Sequence, residues 1–361
     1  MLSEKQLKLM EEITQVSAIS GDEKELSQIL LNYYKPLADE IVYDNLGSIY
    51  AIKRCGIKDA PLVMLSGHMD EIGFVVKDIT SKGALKIAPI GGWWSQVLLS
   101  SRVLVKTRDN KKVKGTISST PPHLLTDEVR NKPMDIQHML VDIGCDTKEE
   151  VLALNIQVGC SLVLDGPFEV LEGGKRLLSK AWDNRYGCII GIEVLEALQT
   201  LNLNVDVAVG ANVQEEVGIR GAQTASYKLA PDLAIVCDCS PANDISGDKE
   251  AFGQLGKGPL VRFIDANYLP HRGFIQHYEN ILEENKIPYQ YYQSLGGTDA
   301  GAIHKQYDGI PTLTQCICAR NIHSPSSIID TDDYENALKA VIAVLSSLNF
   351  DTIETIKKAN Q

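Results

Sequence analysis

Apolar positions along this chain change period three times, and each change predicts a different architecture. Leu7, Met10, Ile13 and Val16 form one helical stripe with Ser3 placed to cap it. Leu26, Ile29 and Leu30 form a second, for which Ser20 or Asp22 is the expected cap. Alternation over residues 40–43 and 48–52, around Asn45-Leu46-Gly47, predicts a hairpin, and the unbroken apolar run 61–65 predicts a buried central strand. From about 71 to 168 short Val/Ile/Leu/Thr segments (73–76, 84–87, 102–105, 114–117, 161–164) alternate with Gly, Asp, Asn and Pro turns. That spacing predicts a small all-β unit, with one helix expected near 147–154. Beyond 169, helices are expected over 184–201, 220–228, 272–285 and 332–348, the last in the chain. Strands over 205–211, 233–239, 260–264, 289–292 and 312–318 alternate with them. The expected fold class is therefore α/β, with a mixed-sheet domain built from residues 1–70 and 169–361 and a β-rich insertion over 71–168.

Composition narrows the function. A chain of 361 residues is long for one core, and 44% apolar with 23% charged residues describes an ordinary soluble globular protein. The net charge of −12 counts against binding nucleic acid or an acidic membrane. No stretch approaches a membrane span, and the N-terminus enters a charged amphipathic pattern with no signal-peptide core, so a cytoplasmic location is expected. Of the eight cysteines, Cys237-x-Cys239 and Cys316-x-Cys318 lack the Cys-x-x-Cys spacing of a zinc knuckle and read as buried reduced thiols.

The chemistry gathers where apolar runs end. Ser66-Gly67-His68-Met69-Asp70, Ala181-Trp182-Asp183-Asn184 and Val213-Gln214-Glu215-Glu216-Val217-Gly218 each place acidic or imidazole groups at such a boundary, and Asp238 and His323 repeat the pattern. A lone histidine there is ordinarily a hydrogen-bonded core residue, and a lone Asp183 before a helix could be only a cap. Five such residues at five strand ends form too large a set for that explanation, and five ligands sharing one carboxylate suffice for two divalent ions. Asp70 lies within reach of the His68 ring and can fix its tautomer. Glu215 and Glu216 would face opposite ways on a regular strand, but Gly218 marks a break that lets both turn inward. One would then bind metal while the other stays free to take a proton from water.

Ser-Gly-His68-Met-Asp70-Glu-Ile-Gly, Ser-Lys-Ala-Trp-Asp183-Asn-Arg, Gln-Glu215-Glu216-Val-Gly, Gly296-Gly297-Thr298-Asp299-Ala300 and Arg320-Asn-Ile-His323-Ser together resemble the tetrahedral (TET) aminopeptidase family of dinuclear metallopeptidases. The resemblance runs in order over nearly the whole chain. Val213–Ala222, Asp238–Ala242 and Tyr289–Tyr292 are similar to the glutamyl aminopeptidase branch of lactic-acid bacteria and streptococci. The resemblance implies that Asp183 bridges two ions, His68 and Asp238 completing one shell and Glu216 and His323 the other. It also implies Glu215 as general base, with Asp70 orienting His68. The ions would be Zn²⁺ or Co²⁺, with Mn²⁺ also suited to these ligands. The insertion would be a PDZ-like dimerisation domain, its dimers assembling into a tetrahedral dodecamer.

The substrates expected are peptides cleaved at their first residue. Gly297, Thr298 and Asp299 are assigned to substrate binding, Asp299 as a carboxylate for the free α-amine. Arg320 is the first candidate partner for an acidic side chain, ahead of Arg220, Arg262 and Lys257. The preference for Glu or Asp rests on the resemblance, and a broad or leucine-preferring aminopeptidase, or a metallo-deacylase or carboxypeptidase, has the same residues. A glycoside hydrolase (endoglucanase) would need two carboxylates about 5–10 Å apart in an aromatic cleft. Adjacent Glu215 and Glu216 do not easily supply that, and aromatic residues are only 6% of the chain. A peptide-binding module with a structural zinc would call for closed Cys/His coordination, unlike this carboxylate-rich set.

Overall fold

Four parallel strands, Asp206–Asn212, Leu62–His68, Leu233–Ala242 and Thr312–Arg320 in that spatial order, form the centre of a mixed sheet. The chain is seen here as a computed structural model that describes residues 2–248 and 251–361. These strands are buried along nearly their whole length, which is why they read as apolar runs rather than alternating ones. The hairpin Glu40–Tyr43 and Ile49–Lys53 extends one edge antiparallel. Ser327–Asp330, Arg176–Ser179 and Glu169–Val170 extend the other, and Leu260–Ile264 with Gln290–Gln293 branch from Thr312–Arg320. The mixed α/β fold expected from the pattern is the one observed.

Most helices cover one face. Glu4–Gln15, Lys24–Tyr34, Trp182–Leu198, Arg272–Glu284, Thr331–Ser347 and Phe350–Lys358 bury residues such as Met10, Leu30, Ile189, Phe274, Val341 and Ile353 in one core. Arg220–Leu229 and Ala300–Ile303 cover the other face around Met64, Ala208, Ala222 and Ile303. Ser3 caps the first helix in a reciprocal capping box with Gln6, as its position predicts. Neither Ser20 nor Asp22 caps the second: Glu23 holds the N-cap position without a side-chain bond. Ser20 and Asp22 are drawn instead to Asp70 and to the insertion, where longer-range partners outcompete a local cap. Phe350–Lys358 follows the helix expected to be last, with Asn349 as its cap.

The strands Gly73–Ile79, Leu85–Ile90, Leu140–Asp142, Lys112–Ile117, Arg102–Lys106 and Ser161–Leu164 close into a barrel in that order. Phe74, Val76, Ile87, Val103, Val105 and Leu162 fill it. The expected helix is present as Lys148–Ala153, capped by Thr147, and a second short one, Asp127–Arg130, was not foreseen. At three residues Leu140–Asp142 is too short to show an alternation, so its sequence gave no strand signal. Among the described residues no helix is long and apolar enough to cross a membrane.

One close approach positions the site. A Cβ built on Gly67 would lie 2.8 Å from the Gly187 backbone, and one on Gly187 would lie 2.8 Å from Gly67 Cα. The helix Trp182–Leu198 therefore lies directly on the strand Leu62–His68, which brings Asp183 to His68. Gly187→Ala should destabilise the protein by about 1–3 kcal/mol through overpacking, despite alanine's better helix propensity. Denaturant unfolding of the variant, compared with Gly191→Ala three ångströms from a single movable Val209 methyl, measures this.

Candidate metal centre

His68 is the last residue of its strand and pairs in register with Asn212. The register Val236↔Ser66, continued two residues, brings Asp238 level with His68. Asp238 was expected to end its strand, but that strand continues to Ala242 because it stays paired with Thr312–Arg320 as far as Ala242↔Arg320. The site thus forms where Leu62–His68 and Asp206–Asn212 stop while their neighbour runs on, the usual crevice beyond parallel strand ends.

Asp183 does not cap the helix it opens. Asn184 does so: its Oδ1 accepts the Gly187 N–H at 2.9 Å, and its Nδ2 donates to the Cys237 carbonyl at 2.7 Å. That leaves the Asp183 carboxylate to face two imidazoles, with Oδ1 3.1 Å from His68 Nε2 and Oδ2 3.3 Å from His323 Nε2. His68 Nε2 is also 3.9 Å from Asp238 Oδ1 and 3.9 Å from Glu215 Oε2, and His323 Nε2 is 3.5 Å from Glu216 Oε1. His68, Asp183 and Asp238 form one trio and Asp183, Glu216 and His323 another, each with donor atoms within 4.8 Å of one another. Two nitrogen or oxygen ligands of one zinc-sized ion lie at most about 4.4 Å apart, so small side-chain shifts close each trio.

Glu215 and Glu216 sit past the strand's end, as the sequence required for both to turn inward. Gln214, at φ +56°, makes the break, and the amides of Glu215 and Glu216 donate to Asp70 Oδ1 and Oδ2 at 3.0 and 3.1 Å. Asp70 also lies 3.5 Å from His68 Nδ1, and that nitrogen is 3.0 Å from the Asp70 carbonyl oxygen. The Asp70 residue therefore fixes the ring with its backbone as well as its carboxylate, the backbone contact being the shorter one.

Charge at the site is lopsided. Burial works against the Asp183 charge, yet His323 and His68 hold its carboxyl well below the usual range. Burial pushes Glu215, Glu216 and Asp238 upward, and the neighbouring carboxylates push them further. Glu216 Oε1 is buried with no hydrogen-bond partner. Two imidazoles cannot balance this many carboxylates. The donor set, its acidity and its poorly satisfied Glu216 oxygen, 3.5 Å from His323 Nε2, fit divalent cations.

A cavity of about 820 Å³ opens over Asp183, Glu215, Glu216, Asp238 and His323 and is walled by Ile219, Phe252, Arg262, Tyr292, Leu295 and Gly297. Arg320, expected to face a substrate side chain, is gripped by Asp244 in a bidentate pair at 2.6 and 2.8 Å and does not line the cavity. Arg262 does line it, buried, with Nη2 on the Gly296 carbonyl at 2.9 Å, Nη1 3.7 Å from Cys316 Sγ and Nε facing Asp265 Oδ2 at 3.6 Å. Asp299 is buried behind the site with Oδ2 accepting from Asn212 Nδ2 at 2.9 Å, while its Oδ1 and the Thr298 hydroxyl are unpartnered. Burial raises the Asp299 carboxyl to about 7.

Two contributors escaped the sequence. His323 Nδ1 is 2.9 Å from the carbonyl oxygen of Gly92, in the loop after the barrel strand Leu85–Ile90, so a backbone group 231 residues away orients this ring. Nothing local in the sequence signals that. Asn184 did carry a signal, being a preferred N-cap type directly before the helical run.

A parallel-sheet edge bearing acidic and imidazole turns over a peptide-sized cavity is the arrangement of a metal-dependent peptidase. Comparison with known proteins gives the family. The M42 glutamyl aminopeptidase family matches residues 47–340, and the chain belongs to it. It is 36% identical to the glutamyl aminopeptidase of Lactococcus lactis over 96% of this chain and 97% of that one. It is 29% identical to the lysyl aminopeptidase of Pyrococcus furiosus over 94% and 96%. Among solved structures it matches a TET aminopeptidase from a marine-sediment Thaumarchaeota archaeon with a TM-score of 0.94 and 36% identity, covering 98% of this chain and 100% of that one. It also matches the Pyrococcus horikoshii TET1 peptidase, which can assemble into a tetrahedron or a large octahedral shell, at 0.85 and 28% identity, covering 95% and 100%.

The cavity wall that carries Phe252 is tied down nearby. Asp333 accepts the amides of Gly256 and Gly258 at 2.8 and 2.6 Å, and burial pushes its carboxyl up to about 6 even so. The folded state thus keeps a proton on Asp333 that the unfolded chain releases near pH 4. This group's contribution to stability is present below about pH 4 and lost as pH rises to about 6. Asp333→Asn should flatten that part of the profile, read as the difference in melting temperature between variant and parent across pH 4–7.

Proposed function

We propose that this protein is a dinuclear metallo-aminopeptidase that removes acidic residues from peptide N-termini. The observation that carries the reading is the pair of donor trios sharing Asp183, with Glu215 beside them and outside both. His68 and Asp238 would hold one ion and Glu216 and His323 the other, with Asp183 between. Zn²⁺ or Co²⁺ suits these ligands, and Mn²⁺ is also accommodated. When bound, such ions supply Lewis acidity, which acidifies water and polarises a peptide carbonyl. Glu215 takes the proton of the attacking water and delivers it to the leaving amine, a role its place beside both trios and outside them allows. Asp70 holds the Glu215 and Glu216 amides, so both carboxylates stay aimed at the cavity.

Asp299 Oδ1 is the candidate to receive the free α-amine, next to Gly297 on the wall and Thr298 behind it. For the side chain, Arg262 is the guanidinium at the cavity, paired with Asp265 at 3.6 Å, whereas Arg320 is gripped by Asp244 at 2.6 Å and lies off the cavity. The family includes proteins named for glutamyl and for lysyl cleavage, so preference lies in the wall rather than the ligands. The division into a catalytic unit (1–70 and 169–361) and a PDZ-like dimerisation unit (71–168) belongs to the same proposal. So does assembly of dimers into a tetrahedral dodecamer, supported by the dodecamer formed by a Pyrococcus horikoshii relative. The eight cysteines, all free and mostly buried, support a reducing, cytoplasmic setting.

The deciding assay is hydrolysis of Glu-, Asp-, Leu- and Lys-p-nitroanilides by chelator-stripped protein before and after Zn²⁺, Co²⁺ or Mn²⁺ is restored. Metal-restored cleavage led by Glu and Asp is expected. Cleavage led by Leu would keep the mechanism and discard the acidic pocket, and no cleavage by folded, metal-loaded protein would favour a deacylase. Arg262→Met should lower kcat/KM for the Glu substrate about tenfold or more relative to the Leu substrate. Glu215→Gln should lower kcat by roughly 2–4 orders of magnitude with metal content unchanged. Loss of metal in that variant would make Glu215 a ligand instead.

A further inference from the structure

Residues 19–23, between the first two helices, touch the catalytic turn and the barrel at once. Ser20 Oγ donates to Asp70 Oδ2 at 2.6 Å. Asp22 accepts from Lys106 Nζ at 2.9 Å and from Ser161 Oγ at 2.6 Å, both on barrel strands. Glu23 Oε1 accepts the N–H of Gln214 at 3.0 Å and of Gly21 at 2.8 Å. The successive amides of Gln214, Glu215 and Glu216 are therefore held by two buried carboxylates, Glu23 and Asp70. Gln214 carries a side chain at φ +56°, a backbone region such residues keep only where their surroundings hold them.

We propose that Glu23 is a positioning residue for the Glu215–Glu216 turn, and that Asp22 beside it makes the seating of the barrel part of that positioning. The inference rests on the reading of Glu215 as general base. Without the Glu23 acceptor the Gln214 N–H is left unpaired in a partly buried place, and the turn is free to leave its left-handed conformation. The Glu215 carboxylate then moves, and a displacement near 1 Å is enough to cost about a hundredfold in rate. Lys106 is almost wholly buried with Asp22 as its close partner and Glu25 at 3.8 Å, so removing its charge loosens the loop on the barrel side and leaves Asp22 held there by the Ser161 hydroxyl.

The test uses the full-length, metal-loaded protein and its best p-nitroanilide substrate. Kinetics, metal content and amide exchange over residues 213–219 are measured for each variant. Glu23→Ala should lower kcat about ten- to a hundredfold with KM within about threefold and metal retained, while exchange rises in 213–219 alone. Glu23→Gln keeps the accepting oxygen and should return kcat to within about threefold of the parent. Should Glu23→Ala not fold, Glu23→Asp, which withdraws the acceptor by one methylene, should show the same loss more weakly. Lys106→Met should lower kcat about three- to tenfold with metal retained. Parental kcat in Glu23→Ala and Glu23→Asp, or exchange rising uniformly along the chain, would overturn the role of Glu23, and parental kcat in Lys106→Met would overturn the part played by the barrel. Glu215→Gln serves as the control: parental kcat there sinks the general-base reading itself, and the local exchange still reports whether Glu23 holds the turn.

Discussion

A single buried carboxylate, Asp70, organises the site. It receives Ser20 Oγ and the amides of Glu215 and Glu216, and it lies 3.5 Å from a nitrogen of His68. Burial opposes its charge, but His68 and the other hydrogen bonds outweigh that and hold its pKa below the ordinary value. Because it accepts from two segments distant in sequence and lies beside His68 on its own segment, it fixes all three relative to one another. The acidic pair 215–216, past the end of its strand, could otherwise drift away from the candidate ligand His68. Bound to one rigid carboxylate, it cannot.

The sheet supplies the rest of the geometry by simple means. Parallel strands of unequal length leave a step, and the step sets His68 at a strand end beside Asp238 within a longer strand. Two glycines let a helix lie directly on that strand. Asn184 takes the capping duty at its start, so Asp183 is spared for the imidazoles. The bridging position between His68 and His323 thus depends on residues that touch no reactant.

How much of this was legible follows from the range of each interaction. Local periodicity revealed the central strands and most helices, and the end of each apolar run revealed His68, Asp183 and the 215–216 pair. It missed Arg176–Ser179 and Ser327–Asp330, whose polar ends leave only two apolar residues between them. Ser20 and Asp22 look like caps to anyone reading the neighbouring ten residues, and only the folded chain reveals their partners 50 and 84 or more residues away. Arg320 seemed available for the same reason, since nothing in the sequence joins it to Asp244. Arg262 gave no sign of facing the cavity, because strand residues alternate faces and its neighbours do not indicate which face is walled.

The Gly92 carbonyl on His323 has a consequence for how such proteins can change over evolutionary time. A barrel with no tie to the site could be trimmed, exchanged or re-surfaced freely, as modular appendages are. This one carries a backbone group that sets the tautomer and aim of an imidazole in the host. Its outer surface is open to drift, but the short stretch around Gly92 inherits the host's constraints, and a transplanted barrel would have to bring a carbonyl to the same place.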